Sequence, residues 1–325
     1  MRIISGIQPT GELHIGNYLG AVKQWVRLQE NNECFFFIAD LHALTREYQP
    51  RSFQENIFEK AVDLLSLGLD PEKCVIFIQS QIKEHTELAW LLNVITKVAE
   101  LERMTQYKEK AKKFRQNINA GLLTYPVLQA ADILIYQTDA VPVGRDQIQH
   151  IELARTIARK FNNIFGQTFK EPKAMMLKEG AKIMSLQDPK KKMSKSDSPQ
   201  GCIGVFDPPE LIKKRVMSAV TDTGKGIKYY PAKKPGISNL VTIFSLFSEK
   251  PIKEVERKFK GKGYSDFKKE LTDLLVKKLE LFRQKKKSLI RREAYVREIL
   301  EQGRRRAQSI ADSTMKEVRA NMGLM

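Results

Sequence analysis

Cysteine is scarce in this sequence, and long hydrophobic runs are missing. The three cysteines, Cys34, Cys74 and Cys202, are odd in number and far apart, so they form neither a disulfide framework nor a zinc-ligand spacing. Apolar runs such as Cys34–Ala39 are far too short to span a bilayer. The first residues lack the basic head, apolar stretch and small-residue cleavage site of a secretory signal. We therefore expect a protein of the reducing cytoplasm, with no membrane partner and no metal site formed by the protein itself.

Acidic residues are also few relative to basic ones. The 325 residues include 56 Lys and Arg against 38 Asp and Glu, which gives a net charge of +18. More than half of this excess lies after Glu249, where Lys285–Lys287, Arg291–Arg292 and Arg304–Arg306 form basic clusters. Such a surface suits a polyanion, and phosphate contacts add affinity without reading sequence. We expect an RNA partner and no DNA partner; a merely solvated, lysine-rich surface is the alternative explanation for much of the excess.

Strand-like and helix-like segments alternate over the first two-thirds of the chain. Glu33–Asp40 and Cys74–Ser80 are continuous apolar runs of strand length, as in buried parallel strands. Arg51–Gly68 has helical periodicity that stops at a glycine. Shorter strand-like segments occur at Met1–Ser5 and Ala140–Gly144. This alternation predicts an α/β fold with a Rossmann-like, doubly wound parallel sheet.

The last third of the chain has a different pattern. Strand-like segments fade after Asp207, and Phe267–Met322 is compatible with helix almost throughout. A chain of this length is long enough for two domains with sizeable cores. We predict a Rossmann-like domain that carries the reaction site at 1–190, and at 191–325 a basic loop followed by an α-helical domain.

Two short segments combine the groups that triphosphate chemistry needs. Ser5–Asn17 reads Ser-Gly-Ile-Gln-Pro-Thr-Gly-Glu-Leu-His-Ile-Gly-Asn, and Lys192–Ser196 reads Lys-Met-Ser-Lys-Ser. In the first segment, glycines allow close backbone approach at a helix start, where N–H groups attract phosphate, and His14 and Asn17 add donors. In the second segment, two flexible ammonium groups suit a mobile loop that closes on pyrophosphate.

Either segment alone is as well explained by ordinary turn glycines, a surface histidine or a solvated basic loop. Together they favour a reaction at the phosphate groups of a nucleoside triphosphate. An enzyme for this reaction mainly positions the reactants and neutralises the charge that develops on the phosphoryl oxygens.

The two segments resemble the two signatures of class I aminoacyl-tRNA synthetases: the His-Ile-Gly-His type, with Asn17 in the last place, and Lys-Met-Ser-Lys-Ser. Nearly the whole chain resembles the bacterial tryptophanyl-tRNA synthetases of this class. The further segments that carry this resemblance are Asp40–Thr45, Leu101–Lys108, Gly121–Pro126, Ala130–Leu134, Val141–His150, Ala219–Asp222 and Lys234–Leu240.

The resemblance implies that the co-substrate is ATP, which brings Mg²⁺ with it, and that the chain forms a homodimer. It also implies aminoacylation in two steps through tryptophanyl-adenylate, with an α-helical C-terminal domain that binds the anticodon of tRNA(Trp). Catalytic roles are implied for His14, Lys110, Lys192 and Lys195. The implied ATP-binding residues are Gln8, Pro9, Thr10, His14, Gly16, Asn17, Gly144, Arg145, Asp146, Ile183, Lys192, Met193, Ser194, Lys195 and Ser196.

The resemblance also implies a tryptophan pocket in which Asp132 accepts the indole N–H. A buried donor needs an acceptor, and an analogue without the N–H would leave the carboxylate unpaired. By pattern alone, Tyr125, Val141 and Val143 are as well explained by core packing. The implied tryptophan-binding residues are Ile4, His42, Tyr125, Gln129, Asp132, Val141, Val143 and Gln147.

Three residues depart from the family pattern and keep two alternatives open. Ile4 stands where many members have phenylalanine, and Arg145 replaces a usual glutamate beside the ATP site. Gln129 stands where many members have methionine, and a glutamine at this position resembles the pattern of tyrosyl-tRNA synthetases. Asp132 could accept a phenol O–H as well as an indole N–H, so a tyrosine–tRNA ligase is one alternative. The small Ala131, which suits a bicyclic ring, favours tryptophan. The other alternative is a catalytically impaired, synthetase-like RNA-binding protein; Arg145 favours it, and the complete phosphate-binding apparatus opposes it.

Four remaining aromatic residues are expected to have no part in the reaction. His85 lies among charged neighbours in the sequence and is expected to be solvated, whereas His150 is expected to have a structural role within a helix. Trp25 and Trp90 fall on the apolar faces of predicted helices and are expected in the core.

Overall fold

The computed structural model describes residues 1–45, 47–108, 119–176, 182–194, 198–224 and 226–324. Lys110, Lys195 and Ser196 lie outside the described residues, so their implied roles stay predictions. Among the described residues, no helix is long and apolar enough to cross a membrane.

Five parallel strands form one sheet at the centre of the structure. They are β1 (Arg2–Ile7), β2 (Glu33–Ile38), β3 (Cys74–Ile78), β4 (Ala140–Val143) and β5 (Lys173–Met176). Their order is β3-β2-β1-β4-β5, so the winding reverses between β1 and β4. Ligands of open α/β sheets bind beyond the carboxyl ends of the strands at such a reversal. The expected doubly wound α/β fold is confirmed.

Helices flank this sheet and follow it. In chain order, those that the structure describes in full are α1 (Ile15–Asn17), α2 (Lys23–Leu28), α3 (Asp40–Ala43), α4 (Pro50–Ser66), α5 (Glu84–Asn93), α6 (Val98–Glu102), α7 (Ala120–Leu134), α8 (Ile148–Phe165), α9 (Pro209–Met217), α10 (Pro235–Ser248), α11 (Ile252–Lys258), α12 (Tyr264–Ile290) and α13 (Glu293–Asn321). A π-helical turn at Tyr18–Val22 joins α1 to α2. The helix-compatible stretch Phe267–Met322 is divided between α12 and α13 at Arg292, whose φ of −113° and ψ of 47° are not helical.

The two faces of the sheet are covered by two separate apolar clusters. Alternate strand residues point to opposite faces, so Ile3 and Phe36 belong to one cluster whereas Ile4 and Phe35 belong to the other. Both clusters also include side chains from the last helices, such as Phe267 in the first and Met315 in the second. Apolar cores therefore extend across residue 190, and the predicted division into two domains there stays a prediction.

Helix α13 lies directly against the outer strand β3. A β-carbon built on Gly303 would be 1.9 Å from the carbonyl oxygen of Ile76, so only glycine lets the helix backbone approach this closely. An unprotected edge strand is a template for pairing with other chains. The helix thus covers the edge that the sheet would otherwise leave open.

Candidate active site

A cavity of about 300 Å³ opens beyond the carboxyl ends of the strands, where the sheet topology places a ligand site. The predicted residues that line it are Gln8, His42, Tyr125, Gln129, Asp132 and Gln147. The other lining residues are Gly6, Phe37, Ala39, Thr45, Gln106 and His150. Ile4, Val141 and Val143 are buried in the apolar cluster on the same face of the sheet and are not among the lining residues. Their predicted contact with an indole ring stays a prediction.

Asp132 is the buried polar centre of this cavity. Its Oδ2 lies 2.7 Å from Nε2 of His42, and its Oδ1 lies 2.5 Å from Nδ1 of His85 and 2.8 Å from Nε2 of Gln79. A carboxylate only accepts hydrogen bonds, so all three side chains donate to it. Behind His85, the hydroxyl of Tyr136 lies 2.7 Å from its Nε2.

The charge of Asp132 is held by the two histidines. Complete burial by itself would raise the pKa of this carboxyl, but His42 and His85 outweigh that effect and lower the pKa to about 2. Each carboxylate oxygen has two acceptor positions. Two donors occupy Oδ1, whereas His42 alone is described at Oδ2. One further position therefore remains for a donor that enters from the cavity side.

His85 is fully buried, so the expectation that it is solvated was wrong. Its charged neighbours in the sequence gave the opposite signal, because its position depends on where the first turn of α5 meets α7. The sequence around His85 does not indicate its partner Asp132, which lies 47 residues away in the chain.

Tyr125 and His150 form one wall of the same cavity. The hydroxyl of Tyr125 lies 3.0 Å from Nε2 of His150, and its ring meets the ring of His42 edge to face, with the centroids 6.4 Å apart. His150 was expected to be structural, and the structure places it in the lining of the cavity. Packing between these three rings fixes the orientation of His42 beside Asp132.

The first signature segment makes a tight turn into α1. Nδ1 of His14 accepts the N–H of Asn17 at 3.2 Å, and Oδ1 of Asn17 accepts the N–H of His14 at 3.1 Å. Burial, with the charge of Lys192 adding to it, lowers the pKa of His14 to about 4. The ring is therefore neutral at pH 7, and since Nδ1 accepts, Nε2 carries the proton. Gly16 is needed here because a β-carbon would lie 2.9 Å from Nδ1 of His14.

The second signature segment begins in a short antiparallel pairing. Met184 and Lys192 form a bridge, the N–H of Met193 donates to the carbonyl of Ile183 at 3.0 Å, and the N–H of Ser185 donates to that of Lys191 at 2.8 Å. The side chain of Asn239 on α10 accepts from the N–H of Met184 at 2.9 Å and donates to its carbonyl at 2.8 Å. The segment is thus held by Ile183–Ser185, which Asn239 of α10 holds in turn, as far as Met193, which is buried.

The structure brings the two signatures together. The backbone at Leu13–Ile15 pairs with Ile203–Val205, with N–H···O distances of 2.8 and 2.9 Å. A β-carbon on Gly16 would lie 3.7 Å from that of Ile183, and the charge of Lys192 acts on His14. The predicted proximity of Ile183 to adenine is not tested by these contacts and stays a prediction.

The remaining predicted ATP residues lie at the ends of β1 and β4. Pro9 is buried and Thr10 exposed after β1, and Ser194 is half-buried at the end of the described part of its loop. Gly144, Arg145 and Asp146 are exposed after β4. Oδ2 of Asp146 accepts from Nε2 of Gln147 at 3.0 Å. The two strand ends adjoin the topological reversal, so these residues share one rim of the crevice.

A doubly wound sheet with both signature segments at one crevice defines an enzyme of the class I synthetase architecture, which activates a carboxylate with a nucleotide. The chain belongs to the tRNA synthetases class I (W and Y), whose family model matches residues 1–280.

Full-length relatives and solved structures agree with this membership. The chain is 49% identical over 325 residues to a tryptophan–tRNA ligase of Caldanaerobacter subterraneus subsp. tengcongensis, covering 100% of this chain and 98% of the relative. It is 46% identical to that of Clostridium acetobutylicum, covering 99% and 97%.

Two crystal structures of tryptophanyl-tRNA synthetases are similar over the whole chain. The enzyme from Mycoplasma pneumoniae superposes with a TM-score of 0.89 at 37% identity, covering 100% of this chain and 98% of that one. The enzyme from Campylobacter jejuni, complexed with ADP and tryptophan, superposes with a TM-score of 0.87 at 39% identity, covering 100% of both chains.

Proposed function

We propose that this protein is a tryptophan–tRNA ligase. It activates L-tryptophan with ATP to tryptophanyl-adenylate and pyrophosphate, and then transfers tryptophan to the 3′ end of tRNA(Trp). The observation that carries the amino-acid assignment is the ionised Asp132, which has one acceptor position left on the cavity side. An indole N–H fits that position, and the buried carboxylate would reject a ring without a donor.

The activation step uses neutral donors and ammonium groups around the triphosphate. Nε2–H of His14 and the side-chain amide of Asn17 donate to phosphate oxygens, and Lys192 adds positive charge. In this proposal Lys110, Lys195 and Ser196 complete the set as the loop closes over the nucleotide. Charge then spreads over the phosphoryl oxygens and pyrophosphate as the tryptophan carboxylate attacks the α-phosphorus, and these groups stabilise it.

Mg²⁺ enters this site with ATP. The described residues contain no group of three or more His, Cys, Asp or Glu side chains placed to hold a metal ion. Phosphate oxygens and water are the ligands that Mg²⁺ prefers, with few from the protein, so the triphosphate is the fitting partner. When bound, the ion supplies further neutralisation of phosphate charge.

The experiment that tests the assignment is pyrophosphate–ATP exchange without tRNA, with tryptophan and tyrosine in parallel and a reaction without amino acid as the baseline. Exchange with tryptophan alone is the expected result. Tyrosine is a meaningful competitor because Gln129 lines the cavity and a phenol O–H also donates. Exchange with tyrosine alone would reassign the substrate, and exchange with neither would favour the catalytically impaired alternative.

The partner in the second step is tRNA(Trp), bound by the basic helical region. Arg304 and Arg305 both pair with Glu301, at 2.7 and 2.9 Å, so part of their charge is neutralised within α13. The exposed Lys285 and Arg291 are therefore better placed to contact phosphates. We expect tRNA(Trp) to bind more weakly at higher salt, with a steep decrease in the logarithm of the binding constant against the logarithm of the salt concentration.

A homodimer is part of the proposal, and an exposed apolar face supports it. Trp90 is 69% exposed, and Val94 and Val98 lie close by in the chain with more than half of their surface exposed. Placement of Trp90 in the core was a wrong expectation, whereas Trp25 is buried as expected. Exposed large apolar groups that cluster are typical of interaction sites, and a second copy of the chain covers them in this proposal.

The proposed compartment is the cytoplasm, where the buried free thiols of Cys34, Cys74 and Cys202 stay reduced.

A further inference from the structure

A cluster of four charged side chains lies outside the cavity and between two helices that are far apart in the sequence. Lys60 and Asp63 on α4 are both only 3% exposed, with Nζ and Oδ2 3.7 Å apart. Nζ of Lys286 on α12 lies 2.8 Å from Oδ1 of Asp63 and 2.7 Å from Oε1 of Glu59. Lys60 and Asp63 are buried as a charge-balanced pair, whereas Lys286 is partly buried and Glu59 is exposed at the edge of the cluster.

Lys60 reaches out of this cluster to the first signature segment. Its Nζ donates to the carbonyl oxygen of Gly11 at 2.7 Å. Gly11 has a φ of +71° and lies in the irregular stretch between β1 and α1. Glycine imposes little conformational preference, so this stretch depends on outside contacts for its shape. A charge-assisted hydrogen bond from a buried ammonium group is among the stronger contacts of this kind.

A second set of contacts joins α12 to the residues that pair with the same stretch. Arg283, one turn before Lys286, donates to the carbonyl of Asp207 at 3.0 Å. Oδ2 of Asp207 accepts the N–H of Gly204 at 2.6 Å, and Gly204 is paired with His14. Nζ of Lys286 also lies 4.4 Å from the centroid of the Phe206 ring. Both sets of contacts therefore end on α12, in the region proposed to bind tRNA.

We propose that Lys60 is a positioning residue for ATP, which it serves by fixing the Gly11 carbonyl, and that Lys286 and Asp63 couple this position to helix α12. Lys60 itself contacts no reacting group. The inference rests on the proposed function, because it concerns how the ATP site of that function is held in shape.

The test compares Lys60→Met with the wild-type enzyme in pyrophosphate–ATP exchange without tRNA. Methionine keeps the length and apolar stem of lysine but removes the donor and the charge. Asp63 keeps its ion pair with Lys286, so the variant should fold, which thermal unfolding checks. The expected result is a KM for ATP raised about tenfold, the scale of one lost charge-assisted hydrogen bond, with the KM for tryptophan unchanged. Lys277→Met, at an exposed position of α12, is the matched control and should behave like the wild type.

The coupling is tested by Lys286→Met and by the double variant. We expect Lys286→Met to raise the KM for ATP in the same direction by a smaller factor, and the effect of the double variant to be less than the product of the two single effects. Independent, multiplicative effects would overturn the coupling.

Three outcomes separate this inference from the proposed function. An unchanged KM for ATP in Lys60→Met, with normal exchange in the wild type, would overturn the positioning role alone. A loss of active protein with both KM values unchanged would mean that Lys60 is merely structural, which also overturns it. A wild-type enzyme without exchange would instead overturn the proposed function, and this inference with it.

Discussion

The buried carboxylate of Asp132 is kept ionised by His42 and His85 rather than by water. It therefore favours a ligand ring that brings a hydrogen-bond donor. Replacement by asparagine keeps the shape of the side chain but removes the charge and presents an amide to His42 and His85. We expect Asp132→Asn to raise the KM for tryptophan by about ten- to a hundredfold, the scale of a hydrogen bond to a charged group, and to leave the KM for ATP within about threefold.

The measurement is pyrophosphate–ATP exchange with each substrate varied in turn. Equal increases in both KM values would show that Asp132 supports the whole crevice rather than the indole subsite. Thermal unfolding of the variant, with and without tryptophan, separates lost binding from lost stability.

His14 should make the protein sensitive to mild acid. Its pKa is near 4 in the folded protein and near 6.5 when exposed, so between these values the unfolded chain binds more protons than the native one. The free energy of unfolding must then decrease as pH falls from 6.5 towards 4. We expect His14→Gln, which cannot titrate, to lose less stability over this range.

Urea unfolding of both proteins at pH 7 and pH 5 measures the difference. An equally steep decrease in the variant would show that other groups cause the acid sensitivity. An NMR titration of the His14 ring gives the pKa directly, and a midpoint near 6.5 would contradict its burial in the turn.

At the scale of elements, α13 packs against β3 with no room for a side chain at Gly303. Gly303→Ala would place a β-carbon 1.9 Å from the backbone oxygen of Ile76, and neither backbone can yield without moving the helix. We expect a loss of about 2–3 kcal/mol in the free energy of unfolding, as for overpacked cores.

Gly263→Ala is the matched control, because no heavy atom lies within 4 Å of a β-carbon at that position and its φ of −83° suits alanine. Urea unfolding of both variants checks the contact. Equal stability would mean that α13 moves away from the sheet at little cost.

The helices and strands that could be predicted are those whose own residues determine whether the segment is a helix or a strand. Runs such as Cys34–Ile38 are apolar on both faces, so burial in a parallel sheet is the natural outcome. Strand β5 was not predicted, because Lys, Ala and Met favour helix, and its strand form depends on pairing with β4. The signature segments could be recognised from local sequence. The positions of His85 and Trp90 could not, since each depends on which face of α5 the rest of the fold covers.

At the scale of the whole molecule, the exposed face around Trp90 should decide the oligomeric state. A glutamate at the centre of an apolar interface is buried without a partner, which strongly opposes association. We expect Trp90→Glu to convert a dimer into a monomer at micromolar concentration, as measured by size-exclusion chromatography with light scattering.

Leu281→Glu is the matched control, since Leu281 is 68% exposed on a different helix and should leave the dimer intact. A wild-type protein that is monomeric over the same concentration range would contradict the homodimer. A dimer that survives Trp90→Glu would place the interface on another face.

The late position of α13 in the chain sets an order of events during synthesis. Strand β3 leaves the ribosome well before the helix that covers its edge, and the pairing of Leu13–Ile15 with Ile203–Val205 also waits for distant sequence. Until then, the nascent sheet presents an open edge and an unfinished crevice, a state in which partly folded chains tend to associate wrongly. We therefore expect the growing chain to be more prone to wrong association before α13 has been made than after it covers β3.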